Sequence, residues 1–205
     1  MKALLLDMGG VVIEINPRAV FEHWAEAANV GIAELDSRWL LDEAYKAHEV
    51  GAIDFSAYIS ALGQRLNIEL SESAWLAGWN ALFVGPYAGV ASALTAAAAQ
   101  LPTFCYTNTN PAHQAEWSRR YQSVLSPFEK IYVSSEIGRR KPDPESFQWV
   151  AEDMGFEPSD IMFLDDSREN IRGAERAGMQ TLEVTGPDVA ETLLRRLAQA
   201  DPSNR

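Results

Sequence analysis

Several polar residues of this 205-residue chain directly follow short apolar runs. Asp7 ends the run "LLLD", and Thr107 ends "FCYT". Asp165 and Asp166 end "FLDD", and Lys141 lies in the polar loop "GRRKPDP". A carboxylate can attack phosphorus as a nucleophile, and further carboxylates with a lysine can hold a divalent cation and neutralise phosphate oxygens. These residue types therefore predict phosphoryl transfer through a covalent intermediate.

Each of these residues, taken alone, also has an explanation without chemistry. The carboxylates could cap a turn or a helix, Thr107 and the following Asn108 could be ordinary turn residues, and Lys141 could be a solvated loop charge. The set as a whole is harder to explain in that way, because open parallel sheets bind ligands at the carboxyl ends of their strands. The four positions therefore predict one shared site at that edge of a sheet.

Alternating strand and helix patterns predict the sheet that would bring these residues together. Apolar runs indicate strands, and amphipathic segments between them indicate helices. The predicted strands cover residues 2–7, 102–107, 130–133, 161–165 and 180–184. The predicted helices in this part cover residues 87–100, 111–122, 144–154, 168–177 and 188–199. Strands linked by helices predict an α/β fold, a Rossmann-like parallel sheet covered by helices on both faces.

The segment from Pro17 to about Phe83 has helical periodicity only. Its four apolar stripes comprise Val20, Trp24 and Ala27; Leu40, Leu41, Ala44 and Tyr45; Phe55, Tyr58, Ile59, Leu62 and Leu66; and Trp75, Trp79, Leu82 and Phe83. Asp36 or Ser37, Asp54 and Ser71 occur where N-caps are expected. We therefore expect a small four-helix cap over residues 16–85, inserted after the first strand of a core formed by residues 1–15 and 86–205.

Composition and charge exclude several classes of function. The chain has 17 basic and 29 acidic residues and a formal net charge of −12, with no basic run to bind nucleic acid. No apolar run reaches the ~18 residues of a membrane span, and Asp7 interrupts the N-terminal run before it could be a secretory signal. The single cysteine, Cys105, excludes an internal disulfide and is expected in the core. We expect a cytoplasmic monomer or homodimer whose partner is a small molecule.

Four motifs resemble those of the haloacid dehalogenase superfamily of hydrolases, in the order of that family. They are Asp7 in "LLLDMGGVV", Thr107 in "CYTNTN", Lys141 in "GRRKPDPESF", and Asp165 and Asp166 in "FLDDSRENIRGA". The resemblance covers the whole chain, and the helical insert is similar to the type-1 cap. Motif one and the segment "AHEVGAIDFSAYI" are most similar to the bacterial glucose-1-phosphate phosphatase-like subgroup.

This resemblance implies roles for the residues of the motifs. Asp7 would be the nucleophile and a Mg²⁺ ligand, Gly9 would offer its backbone carbonyl to the metal, and Asp166 would complete the protein's metal ligands. Thr107 and Lys141 would bind the phosphate, with Lys141 as part of the catalytic machinery.

Residues beside the motifs would support them. Gly10 would let the backbone approach the phosphate closely, and Asn108 would help to position substrate. Asp165 and Asn170 would orient the metal ligands and waters.

The histidines of the chain are expected to differ in role. His48, with Glu49, lies in the cap stretch that resembles the specificity region of the family, and both are candidates for substrate contact. His23 and His113 are expected to be surface or capping residues.

Gly9 departs from the pattern of the family. Most phosphatases of this superfamily have an aspartate at this position, two residues after the nucleophile, as general acid and base. Loss of such a group typically costs around 10²–10⁴-fold in rate. The sequence therefore leaves three possibilities: another group takes the role, the leaving group needs little help, or the protein is not an active phosphatase.

We accordingly expect a Mg²⁺-dependent phosphatase of small phosphorylated metabolites, with sugar phosphates such as a hexose 1-phosphate as the expected class. One alternative is a 2-haloacid dehalogenase, but Lys141 and the aspartate pair suit a metal and a phosphate. Another is a pseudo-enzyme that binds a phosphorylated ligand, but simple binding would not need the nucleophile Asp7.

Overall fold

The computed structural model describes residues 1–199, and a parallel sheet forms its centre. The strands are β1 (Ala3–Leu6), β2 (Ile13–Ile15), β3 (Phe83–Pro86), β4 (Thr103–Thr107), β5 (Lys130–Val133), β6 (Ile161–Asp165) and β7 (Gln180–Glu183). The sheet has the order β5-β4-β1-β6-β7, and every neighbouring pair is parallel. The five predicted strands are confirmed, and β1 lies at the centre of the sheet.

Helices cover both faces of this sheet. In chain order they are α1 (Pro17–Ala28), α2 (Ile32–Arg38), α3 (Glu43–Glu49), α4 (Phe55–Leu66), α5 (Glu72–Asn80), α6 (Ala88–Ala98), α7 (Pro111–Arg120), α8 (Gln122–Leu125), α9 (Ser134–Ile137), α10 (Pro144–Met154), α11 (Arg168–Arg176) and α12 (Pro187–Gln199). The predicted helices after residue 86 correspond to α6, α7, α10, α11 and α12, while the single-turn helices α8 and α9 were not predicted.

The side chains of β1 show why the sheet needs helices on both sides. Leu4 and Leu6 pack in one apolar cluster with residues of α6 and α12, whereas Ala3 and Leu5 pack in a second cluster with residues of α10 and α11. Successive residues of a strand point to opposite faces, so β1 is buried on both. The predicted α/β fold is therefore confirmed. Cys105, in β4, is fully buried, as expected.

The segment between β2 and β3 contains five helices, α1 to α5, rather than the four predicted. The helix missing from the prediction is α2, whose seven residues bury only Leu35. Ile32 and Leu35 have helical spacing and pack in the same cluster, but two apolar residues in a helix of two turns are too few for a periodic pattern to indicate it.

The second predicted stripe is wrong at its start. Leu40 and Leu41 are 58% and 56% exposed and lie between helices. Helix α3 begins one residue after Asp42, whose carboxylate accepts a hydrogen bond from the backbone N–H of Tyr45 at 2.8 Å. The predicted caps Asp36 and Ser37 instead lie inside α2. Two adjacent leucines in a loop thus gave the same sequence pattern as the first turn of an amphipathic helix.

Helices α1 to α5 share an apolar cluster of their own, as the aromatic stripes predicted. Its buried rings are Trp24, Tyr58, Trp75 and Trp79. The predicted caps Asp54 and Ser71 accept hydrogen bonds from the backbone N–H groups of Ala57 and Ala74, which confirms the starts of α4 and α5.

The chain enters and leaves this helical segment through a two-stranded antiparallel ribbon, β2 with β3. The ribbon was not predicted, because its strands have only three and four residues, too few for alternation to be distinguished from chance. It lies beside the boundaries expected at residues 15/16 and 85/86, and the division into core and cap remains a prediction. The last residues of the predicted core, 200–205, lie outside the described part of the chain. Among residues 1–199, no helix is long and apolar enough to cross a membrane.

Candidate active site

The carboxyl ends of three neighbouring strands carry the predicted site residues. Asp7 directly follows β1, Thr107 is the last residue of β4, and Asp165 is the last residue of β6. Since β1 lies between β4 and β6, these ends meet at one edge of the sheet. The sheet order thus brings together residues that are 58 to 158 positions apart in the sequence.

Lys141 is the centre of the site. Its Nζ lies 2.8 Å from Oδ1 of Asp7 and 2.7 Å from Oδ2 of Asp165, and its side chain is 1% exposed. The rings of Tyr106 and Phe163 lie 5.5 and 5.4 Å from the same nitrogen, within the range of a cation–π contact. The ammonium is thereby fixed between two carboxylates and shielded from water.

Asn108 fixes the backbone of Lys141. Its side-chain Nδ2 donates to the carbonyl of Lys141 at 2.9 Å, and its Oδ1 accepts from the N–H of Lys141 at 2.9 Å. The end of β4 therefore holds the loop that carries the lysine. Asn108 also borders the cavity described below.

Asp165 is fully buried and saturated with donors. Besides Lys141, it accepts hydrogen bonds from Nδ2 of Asn170, at 3.0 and 3.1 Å, and from the N–H of Ser167 at 2.8 Å. An oxygen bonded in this way has little capacity left for a further ligand. Asp165 and Asn170 therefore act on the position of Lys141.

Asp166 is the more exposed member of the aspartate pair, and it lies against Gly10. Gly10 has a positive φ of 75°, and a Cβ at this position would overlap the Asp166 carboxylate. Both the backbone conformation and the space therefore require glycine. Gly10 allows the loop after β1 to pass directly beside this carboxylate.

The carboxylates of Asp7, Asp165 and Asp166 place oxygens within 4.8 Å of one another. Burial raises the pKa of Asp7 to about 7, and the charges of Asp165 and Asp166 add to this, while Lys141 opposes it. Burial and the charge of Asp165 also raise the pKa of Asp166. Burial lowers the pKa of Lys141, but the two aspartates raise it by more, so the lysine stays charged.

The charges of this group suit a divalent cation. Three ionised carboxylates and one ammonium leave two negative charges uncompensated, and hard cations such as Mg²⁺ prefer carboxylate and carbonyl oxygens. Since Asp165 is already saturated by donors, Asp7 and Asp166 are the residues that fit as ligands.

A cavity of about 280 Å³ lies over this group. Its floor includes Asp7, Gly9, Thr107, Asn108, Lys141, Asp166 and Asn170. Its upper wall comes mainly from the ribbon and from the helical segment: Ile15, Pro17, Val20, Phe21, Trp39, Tyr45, Glu49, Trp79, Leu82 and Phe83. The structure thus brings most of the sequence-predicted site residues to one cavity.

His48 and Glu49 separate in the structure, although both were expected to contact substrate. Glu49 borders the cavity, whereas His48 does not. The His48 ring stacks on Tyr58 at 4.8 Å, and its Nδ1 lies 3.3 Å from the carbonyl of Ile53. Consecutive helical residues point about 100° apart, and in α3 this turns His48 toward Tyr58 and Glu49 toward the cavity. The placement of His48 at the substrate is therefore not what the structure shows.

Glu49 connects the helical segment with the loop of Lys141. Its Oε2 lies 2.7 Å from Nη2 of Arg140, the residue before the lysine. The hydroxyl of Ser134 donates to the backbone carbonyl of Glu49 at 2.6 Å. The upper wall of the cavity is thus attached to the sheet beside the site.

His113 was expected at the surface or as a capping residue, but it is 7% exposed and borders the cavity. Its ring stacks on Trp79 at 4.6 Å, and its Nε2 donates to the carbonyl of Trp79 at 2.9 Å. Burial lowers the pKa of His113 to about 4, against the opposing effect of that hydrogen bond. The four-residue spacing of His113 and Trp117 in α7 was the sequence signal that could have indicated a buried face.

Comparison with known proteins identifies the class. The sequence profile of haloacid dehalogenase-like hydrolases matches residues 1–178, and the chain belongs to this family, as its motifs indicated.

Individual relatives cover most of the chain. A D-ribitol-5-phosphate phosphatase of Bacteroides thetaiotaomicron is 26% identical over 89% of this chain and 91% of its own. A sesquiterpene phosphatase of Aspergillus oryzae is 26% identical over 90% of each chain. The crystal structure of a family enzyme of B. thetaiotaomicron, in complex with magnesium and inorganic phosphate, has a TM-score of 0.78 and 27% identity, and the match covers 89% of this chain and 93% of that one.

The buried state of His113 predicts a pH dependence of stability. As the pH falls below ~6.5, the unfolded chain binds a proton at this residue before the folded chain does, so the free energy of unfolding decreases until about pH 4. Between pH 7 and pH 5, the free energy of unfolding of wild type should fall by about 2 kcal/mol more than that of His113→Gln. Urea unfolding of both proteins at the two pH values measures the difference. His23→Gln, at an exposed position, is the control, and an equal pH dependence in wild type and His113→Gln would contradict the prediction.

Proposed function

We propose that the protein is a Mg²⁺-dependent phosphatase of small phosphorylated metabolites that works through an aspartyl-phosphate intermediate. The observation that carries the proposal is the arrangement of Asp7, Asp166 and Lys141 on the floor of one cavity. The named phosphatases among its relatives support the reaction class.

Mg²⁺ would be held by the carboxylates of Asp7 and Asp166 and by the backbone carbonyl of Gly9. Bound there, it would offset negative charge on the carboxylates and on the phosphate oxygens. The magnesium complex of the Bacteroides structure supports this choice of metal.

Asp7 is the proposed nucleophile. Its carboxylate attacks phosphorus, a bond from the carboxylate oxygen to phosphorus forms, and the bond from phosphorus to the ester oxygen breaks. The alcohol leaves with a proton from solvent. Water then attacks the acyl phosphate, which restores the carboxylate of Asp7 and releases inorganic phosphate.

Thr107 and Lys141 would bind the phosphate oxygens. The hydroxyl of Thr107 can donate a hydrogen bond, and the ammonium of Lys141 offsets the charge that develops on these oxygens. Asp165, Asn170 and Asn108 would keep the lysine in place, so the ammonium needs little reorganisation during the reaction.

The substrate class expected from the sequence, sugar phosphates, has support from the relative named for D-ribitol 5-phosphate. The relative named for a sesquiterpene phosphate acts on an ester of opposite polarity. The choice between polar and apolar phosphate esters therefore depends on the residues that line the cavity above the phosphate. We further propose a cytoplasmic location and a cap over residues 16–85 that covers the substrate.

Asp7→Asn should abolish turnover and leave the fold intact, because an amide cannot attack phosphorus. The measurement is hydrolysis of p-nitrophenyl phosphate with and without Mg²⁺, with Asp36→Asn at an exposed position of α2 as the control. A variant that keeps more than a small fraction of the wild-type rate would show that Asp7 is not the nucleophile. Metal-independent halide release by wild type would support the dehalogenase alternative, and a wild type without any turnover would support the pseudo-enzyme.

Alanine variants of the two neighbouring aspartates should differ in Mg²⁺ dependence and in stability. Asp166→Ala should raise the Mg²⁺ concentration for half-maximal activity far more than Asp165→Ala does, because Asp165 is already saturated by protein donors. Asp165→Ala should instead lower the free energy of unfolding by about 3–5 kcal/mol, since it removes a partner of a buried charge. Mg²⁺ titration and urea unfolding of both variants test this. Equal Mg²⁺ dependence in the two would contradict the assignment of the ligands.

Gly9 predicts a preference for good leaving groups. Without an acid at this position, a less basic leaving oxygen should depart more easily, so kcat/KM for glucose 1-phosphate should exceed that for glucose 6-phosphate. A Cβ at Gly9 would touch only Ile15, at 3.4 Å or more, so Gly9→Asp is expected to fold. This variant should narrow the difference between the two esters, whereas the matched control Gly9→Asn should not. A wild type that prefers the 6-phosphate would refute this account of Gly9.

A further inference from the structure

The upper wall of the cavity is apolar over most of its area. Five of its side chains are aromatic, at Phe21, Trp39, Tyr45, Trp79 and Phe83, and the others include the aliphatic residues Ile15, Val20 and Leu82. Contact between an apolar wall and apolar groups of a ligand is favourable. Hydroxyl groups that lose their water at such a wall find no hydrogen bonds in exchange, which weakens binding.

Three polar side chains at or beside this wall make bonds within the protein. Glu49 is paired with Arg140. The amide oxygen of Asn110 accepts from Nε1 of Trp79 at 3.3 Å and from the N–H of His113 at 3.1 Å. The two ring nitrogens of His113 are occupied by the carbonyl of Trp79 and the amide of Asn110. His113 therefore has no free ring nitrogen, and at most one carboxylate oxygen of Glu49 and one amide hydrogen of Asn110 stay free for substrate hydroxyls.

A residue that borders the cavity, Trp117, carries a buried polar atom without a partner in the described part of the chain. The indole Nε1 of Trp117 is buried and makes no hydrogen bond among the described residues. A single donor can satisfy one oxygen, but a sugar or polyol has several hydroxyls, each of which would need partners.

The aromatic rings are also engaged with one another, which limits their use as stacking platforms for a sugar ring. Trp79 stacks with His113 and with Trp24, at interplanar angles of 13° and 7°. Trp39 contacts Phe21 and Tyr45 edge to face. These rings form a packed wall and do not stand free on either side of a slot.

We infer that the organic group of the substrate is apolar: the cavity accepts a phosphate monoester of an aliphatic, prenyl or aromatic alcohol. This inference rests on the proposed function, because the floor of the cavity must hold the phosphate. At about 280 Å³, the cavity is near the lower end of the ~300–1,000 Å³ range of small-molecule pockets. It therefore suits a short chain or a small ring system.

A matched pair of esters tests the inference. n-Pentyl phosphate and D-ribitol 5-phosphate are both primary esters with five carbons, and they differ in four hydroxyls. The hydroxyl beside the ester makes ribitol the better leaving group. This effect alone favours hydrolysis of ribitol 5-phosphate, so it cannot produce a preference for pentyl phosphate. We expect kcat/KM for pentyl phosphate to be at least tenfold higher. Equal values, or a higher value for ribitol 5-phosphate, would overturn it.

A substitution in the upper wall tests whether the preference for pentyl phosphate depends on the cavity. Phe21→Gln places an amide at a half-buried wall position, and it should reduce the preference for pentyl phosphate at least fivefold. Phe55→Gln is the matched control, because Phe55 is also half-buried and packs against the same helical cluster but does not border the cavity. It should leave the ratio of the two kcat/KM values unchanged. Equal effects of both variants would overturn the assignment to this wall.

Binding to Asp7→Asn separates the inference from the proposed function. Calorimetric titration of this variant with the two esters, in the presence of Mg²⁺, measures affinity without turnover. Tighter binding of pentyl phosphate supports the inference even if wild type hydrolyses neither ester, in which case only the phosphatase proposal fails. Tighter binding of ribitol 5-phosphate overturns the inference even if wild type is an active phosphatase.

Discussion

The buried ammonium of Lys141 is the interaction on which the site depends. A charge removed from water in this way is costly unless its partners lie close and are themselves hydrogen-bonded. Asp7 and Asp165 supply the charges at 2.8 and 2.7 Å, and Asn108 fixes the backbone behind the lysine. Since these partners come from the ends of β1, β6 and β4, the order of the central strands is what makes the buried charge tolerable.

The two glycines after Asp7 have separate functions. Gly10 is required by its positive φ and by the closeness of the Asp166 carboxylate. Gly9 has no such constraint, because its φ is not positive and a Cβ there would meet only Ile15 at ordinary contact distance. Backbone geometry therefore does not explain why position 9 lacks an acidic residue.

The sequence predicted the sheet and the floor of the site, because both follow from local patterns: apolar runs that end on polar residues. It did not predict the walls of the cavity. Which of His48 and Glu49 faces the cavity depends on the rotation of α3, and the burial of His113 depends on its contact with Trp79 in a distant helix. Helix α2 was missed because its seven residues contain only two apolar side chains at helical spacing, Ile32 and Leu35, which is too short a pattern to read. Properties set by packing between separate elements have at most a weak local signature, such as the four-residue spacing of His113 and Trp117.

The ribbon of β2 and β3 has a consequence for how such a protein can change over generations. Ile15 and Phe83 are paired across the ribbon, so their Cα atoms lie roughly 4.5–5.5 Å apart. A recombination event could replace the residues between them with any segment whose ends meet at that spacing, and the strand order of the sheet would not alter. Most of the upper wall of the cavity can therefore be exchanged as one unit, while Asp7, Lys141 and Asp166 on its floor are inherited intact.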